Sequence, residues 1–253
     1  MTRRPAGVPR LRVFAGPNGS GKSTIKASLP AALTRLFVNA DELEQEAKDS
    51  GFIDLVPFGI QATQAELLTF HLDHHLIASR QLAGKARQLQ LLDNRIDYRA
   101  VPVNSYFASV IADFIRQRLL EAKQSFTFES VMSHPSKIEF MRLAQAQGYR
   151  TYLYFVSTEN PRINIERVAI RVRAGGHPVR DDLVRSRYER SLDLLPEAIA
   201  ASHRAYVFDN SGQSAVWLAE ITDGVQLEYR NEEIPDWFFE AYVDEVEQPA
   251  DVE

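Results

Sequence analysis

Gly16-Pro17-Asn18-Gly19-Ser20-Gly21-Lys22-Ser23 is a complete P-loop motif, and it decides the fold class of this chain. The apolar run Leu11 to Ala15 leads into it, and a helix-compatible stretch from Lys22 to Leu29 leaves it. A P-loop needs that setting of strand, turn and helix. Its glycines let the backbone curl until successive N–H groups converge on an anion. The dipole of the following helix adds positive potential at the same place. Gly16, Asn18, Gly19, Ser20, Gly21, Lys22, Ser23 and Thr24 are therefore candidate ligands of a nucleoside triphosphate. Lys22 would reach the β- and γ-phosphates, and the Ser23 hydroxyl would ligate Mg²⁺.

Outward from the motif, short β-branched and aromatic runs predict a parallel sheet. They are Leu11–Ala15, Leu36–Asn39, Phe126–Glu129, Thr151–Ser157 and Ala205–Asp209, with Val225–Tyr229 as a sixth. Helical patterns alternate with them, so an α/β fold of the P-loop NTPase type is expected. It should have a mostly parallel sheet of five to six strands and helices on both faces. About 85 residues without a strand signal separate strands two and three. Leu67, Leu68, Leu72 and Leu76 predict a long helix over Gln64–Asn94, and Ile111, Ile115 and Leu119 another over Ser105–Lys123. A helical insert at about 52–125 would lie beside the ligand-binding edge of the sheet. The expected organisation is a kinase-like domain over 1–230 and an acidic segment over 231–253.

The overall charge of −5 is uneven: ten acids against Arg230 over 228–253 leave residues 1–227 at +4. A mildly basic body suits a nucleotide substrate but is too weakly charged for a nucleic-acid groove. The tail reads as a solvated terminal segment pinned by Trp237, Phe238 and Phe239. An apolar content of 45% allows a sizeable core, and the absence of cysteine excludes disulfides and thiolate metal sites. Arg3 and Arg4 are not followed by an apolar segment, and no run approaches the ~20 residues that span a bilayer. A cytoplasmic protein without membrane or nucleic-acid partners is expected.

Two carboxylates end predicted strands. Asp41 closes Val38-Asn39-Ala40-Asp41-Glu42, where it either accepts a proton from an acceptor hydroxyl or belongs to a capping box on Asn39. Glu129 follows Phe126-Thr127-Phe128, which should be largely buried, and should face the cleft to bind substrate hydroxyls or order the Mg²⁺ water shell, or else form a structural ion pair. Eight arginines against four acids occupy 162–190, with Gly175-Gly176-His177-Pro178 among them. That composition suits a closing lid that neutralises a moving phosphoryl group. Asn210, in Asp209-Asn210-Ser211-Gly212, is a candidate adenine contact, since no Asn-Lys-x-Asp guanine motif is present. His71 and His75 share a helix face without the extra ligands that a metal site needs, and read as polar helix positions.

With these residues in place the chain resembles the zeta toxin family of P-loop kinases from about Leu11 to Gly212. The resemblance rests on Ala15 to Thr24, Asn39-Ala40-Asp41, Phe128-Glu129-Ser130, Arg167 and Gly175-Gly176-His177-Pro178-Val179-Arg180. It implies an ATP- and Mg²⁺-dependent kinase whose acceptor is a UDP-activated amino sugar, UDP-N-acetylglucosamine in the best-known members. It also implies the toxin of a toxin–antitoxin pair. Lys22 would be the phosphate lysine and Asp41 the base. Glu129 and Ser130 would bind substrate, and Arg167 and Arg180, thirteen residues apart, would stabilise the transferring phosphoryl. Val131 departs from the threonine of well-characterised members, with Ser130 or Ser133 as substitutes. Ten residues precede the first strand, so the antitoxin is expected to be a separate protein. The alternatives are a kinase of another hydroxyl metabolite, such as a nucleoside or antibiotic, and a nucleotide-dependent interaction protein.

Overall fold

The computed structural model describes residues 7–34, 36–176 and 178–247; Arg3, Arg4, His177 and the end of the acidic segment lie outside them. In chain order the elements are β1 (Arg10–Ala15), α1 (Lys22–Ser28), β2 (Phe37–Val38), α2 (Ala40–Ser50), β3 (Phe52–Asp54), α3 (Gln64–Asp73), α4 (His75–Ser79), α5 (Ala83–Ala86), β4 (Gln90–Leu92), β5 (Arg95–Asp97) and α6 (Ser105–Glu121). There follow β6 (Phe126–Ser130), α7 (Ser136–Ala146), β7 (Arg150–Ser157), α8 (Pro161–Arg173), α9 (Asp181–Asp193), α10 (Leu195–Ala200), β8 (Arg204–Asp209), β9 (Val216–Thr222) and β10 (Gln226–Tyr229). Contacts divide the chain into two units, residues 1–35 with 127–253, and residues 36–126.

In the larger unit the strands lie in the order β10-β9-β8-β7-β1-β6. β1, β7 and β8 run parallel, with Leu11 opposite Thr151 and Leu153 opposite Ala205. Leu11, Val13, Phe14 and Ala15 are all buried, the near-continuous apolar burial of a central parallel strand. Phe128 and Phe155 are fully buried as well. Truncating one such ring to alanine costs about 3–5 kcal/mol, so the sheet is the rigid support for the loops at its edge. Ser157 pairs with Asp209, which brings the ends of β7 and β8 to one edge, and the P-loop leaves β1 at that edge. Ligands of open α/β folds bind there.

β9 departs from the expected pattern. Leu218, Ala219, Glu220 and Ile221 are buried in succession, so the strand has no polar alternation to signal it. It pairs antiparallel with β8, and β10 pairs antiparallel with β9. The chain is helical over much of 236–247, and Trp237, Phe238, Tyr242 and Val243 are buried. Phe239, expected as an anchor, is exposed; Tyr242 and Val243 serve instead.

The smaller unit corrects the expectation of a purely helical insert. β3, β5 and β4 form an antiparallel three-stranded sheet. The hairpin between β4 and β5 turns on Asp93 and Asn94, with φ of 49° and 60°. Two left-handed central residues make the tight turn whose twist matches paired strands. Asn94 also donates to Ile60 O (2.7 Å) and accepts from Ala62 N (3.3 Å). The single helix expected over Gln64–Asn94 is therefore divided. His74 is extended, and its Nδ1 accepts the Leu76 N–H (3.2 Å), which caps α4; Gln81 then turns left-handed (φ 55°). His71 is buried, its Nδ1 donating to Leu67 O (2.8 Å), while His75 is exposed. α6 buries Ile111, Ile115 and Leu119 at helical spacing.

Candidate functional site

The P-loop is shaped by the elements pressed against it. Gly16 has a φ of 133°, and a Cβ there would lie 2.0 Å from Val156 O in β7. Gly21 (φ 94°) would place a Cβ 2.0 Å from Asn210 Nδ2. Only glycine permits both the conformation and the approach. Asn210 donates from that nitrogen to Ser20 O (2.8 Å), so the loop after β8 clamps the base of the P-loop. Asn164, fully buried on α8, donates to Asn18 O (2.7 Å) and accepts from the Thr158 hydroxyl. Tyr188 of α9 donates to Thr158 O (2.6 Å), and burial pushes its phenol up to about 12. Arg187, its neighbour, donates to Asn18 Oδ1 (3.2 Å).

Lys22 is buried at the mouth of this loop. Its Nζ donates to Gly16 O (2.9 Å) and Pro17 O (3.0 Å) and stands 3.8 Å from Glu129 Oε1. Glu129 ends the buried part of β6 and is partly exposed, as its place after Phe126-Thr127-Phe128 requires. Ser130 Oγ accepts the N–H of Met132, a buried residue with a φ of 55°. Ser23 and Thr24 are exposed in the first turn of α1, which begins directly after Gly21. The Ser20 hydroxyl is buried without a partner among the described residues. An orphaned hydroxyl within a glycine-shaped cradle fits a phosphate group.

The arginines are placed differently from one another. Arg167 of α8 donates to the carbonyl oxygens of Asn210 (2.6 Å), Ser211 (3.4 Å) and Gly212 (3.2 Å), so it braces the loop after β8. Arg180 precedes α9, exposed and paired with Asp182 (2.6 Å). Asn210, expected at the base of a nucleotide, has its amide turned to the P-loop instead. Asp209 accepts from Trp237 Nε1 (2.9 Å) and from Ser211. Asn164, Arg187 and Tyr188 were not singled out by the sequence. Each lies within a helix, where one polar residue reads as ordinary surface; the complete burial of Asn164 is what distinguishes it. In the smaller unit, Asp41 is exposed in the first turn of α2. Its N–H is capped by Asn39 Oδ1 (2.8 Å), so Asn39 is the N-cap, with Asp41 rather than Glu42 as its partner.

A 63-residue stretch is 35% identical to an uncharacterised protein of Haemophilus influenzae, covering 25% of this chain and 45% of that protein. The AvrRxo1-ORF1:AvrRxo1-ORF2 structure with sulphate ions superposes with a TM-score of 0.52 at 15% identity, over 88% of this chain and 61% of the other. A structure from the PezAT chromosomal toxin–antitoxin system of Streptococcus pneumoniae gives 0.48 at 14% identity, over 95% and 80%. The chain thus spans less than two thirds of the first two proteins, and the AvrRxo1 likeness concerns the fold. The sequence model described as Zeta toxin matches residues 76–222, more than half of the chain. This chain belongs to the zeta toxin family.

Proposed function

We propose that the protein is an ATP-dependent phosphotransferase with an alcohol acceptor. It would move the γ-phosphate of ATP to a hydroxyl of a UDP-activated amino sugar such as UDP-N-acetylglucosamine. The observation that carries this reading is the junction of Lys22, the P-loop carbonyls and Glu129 at one edge of the sheet. A phosphate-binding cation and a carboxylate able to hold a sugar hydroxyl stand side by side there.

In this reading the P-loop N–H groups and Lys22 would hold the triphosphate, and the Ser23 hydroxyl would hold Mg²⁺, which would supply positive charge to the phosphates. Glu129 orients the acceptor, with Ser130 behind it fixing the turn at the end of β6. Asp41 takes the proton as the acceptor oxygen forms its bond to the γ-phosphorus and the bond to the ADP oxygen breaks. Arg167 and Arg180 add positive charge at the transferring group, Arg180 by leaving Asp182. Modification of a cell-wall precursor would make the protein a toxin. AvrRxo1-ORF1 is solved together with AvrRxo1-ORF2; by analogy, an antitoxin encoded as a separate chain is the partner we propose.

Incubation with ATP labelled at the γ-position and UDP-N-acetylglucosamine tests this directly. A labelled phospho-sugar is expected. Label transferred only to another metabolite would replace the acceptor, and ATP hydrolysis with no phosphorylated product from a cell extract would refute the kinase.

A further inference from the structure

We propose that Arg187 is a further phosphate-contacting arginine, which would turn its guanidinium from Asn18 to the terminal phosphate of a bound nucleoside triphosphate. This rests on the kinase reading above and adds a residue to it. Asn18 lies at the tip of the P-loop, next to Pro17, whose carbonyl shares Lys22 Nζ with that of Gly16. A guanidinium 3.2 Å from the Asn18 side chain therefore stands at the end of the cradle where Lys22 would meet the outer phosphates.

Three of the other seven arginines between residues 162 and 190 have partners away from Asn18. Arg167 holds three carbonyl oxygens of residues 210–212. Arg180 is exposed on Asp182, and Arg190 Nε donates to Ser186 O (3.0 Å). Arg180 is extended at the N-cap of α9 and paired with Asp182, whereas Arg187, inside the helix, is bonded to Asn18 of the P-loop. α9 is fixed next to it by Tyr188 on Thr158 O (2.6 Å) and by the buried Val184 and Ser191. The side-chain oxygen of Asn18 is a neutral acceptor. A phosphate oxygen is a charged one, and charge-assisted hydrogen bonds are about twice as strong. Guanidinium also matches phosphate oxygens in a bidentate fork, which an ammonium cannot.

A contact to the terminal phosphate separates ATP from ADP, whereas a strut holding α9 to the P-loop does not. Calorimetric titrations of the full chain with AMP-PNP and with ADP distinguish them. Arg187→Gln is expected to weaken AMP-PNP at least tenfold and to change ADP less than twofold. Arg187→Lys, which keeps the charge and the fold, should fall between wild type and Gln for AMP-PNP alone. Equal losses for both nucleotides, or no loss for either, would overturn the assignment while leaving the kinase reading intact. Wild-type protein that binds neither nucleotide would overturn both.

Discussion

Lys22 has little of its surface in solvent, yet its charge is met by two carbonyl oxygens and a carboxylate. Such a cation is held ready for an anion at little cost in reorganisation. Lys22→Ala should lose ATP affinity and turnover together, with turnover falling about 10²–10³-fold. Asp41→Asn separates the two effects. ATP should still bind by calorimetry, while phosphoryl transfer falls about 10²–10⁴-fold for want of a base. Near-normal transfer by that variant would remove Asp41 from the chemistry. Lys22 and Glu129 were legible as sequence because a P-loop and a strand-ending carboxylate are local patterns. Arg187 was one arginine among eight between residues 162 and 190, and its bond to Asn18, 169 positions away, is not a local pattern.

At the scale of elements, α8 reaches the P-loop through one side chain. Asn164→Ala would leave Asn18 O and the Thr158 hydroxyl without the amide that joins them. Orphaning buried polar groups costs about 1–3 kcal/mol, which urea unfolding should register along with weaker ATP binding. The β4–β5 hairpin offers a second case. Asn94→Ala removes two side-chain hydrogen bonds and puts a methyl-bearing residue at a φ of 60°; Asn94→Gly removes only the bonds. Unfolding curves of the two variants should differ by about 1 kcal/mol, with Gly the more stable. This hairpin also explains why a long helix was the wrong expectation for Gln64–Asn94. Leucine spacing in that stretch is helical, but His74, Gln81 and Asp93-Asn94 redirect the backbone, and propensity yields to tertiary pairing.

For the whole molecule, stability should depend on pH through His71. Burial pushes this imidazole down to about 4 from an ordinary 6.5, and its Nε2 has no partner among the described residues. Below about 6.5 the unfolded chain takes up a proton there that the folded chain refuses until near 4. Stability present above 6.5 is therefore lost as the pH falls toward 4, by about 2 kcal/mol at pH 5. His71→Phe should flatten the difference between pH 7.5 and pH 5 in urea unfolding; an unchanged pH slope would show that His71 is not buried neutral. By itself the sequence determined that a strand, a phosphate loop and a helix follow one another in an α/β chain. Those features arise from neighbouring residues, glycine conformations and apolar periodicity. Tertiary structure alone decided which distant side chains close on the loop: Asn164, Arg187 and Asn210 lie 146 to 190 positions from their partners. No local pattern encodes such contacts, because they arise only when parallel strands bring their ends to a common edge.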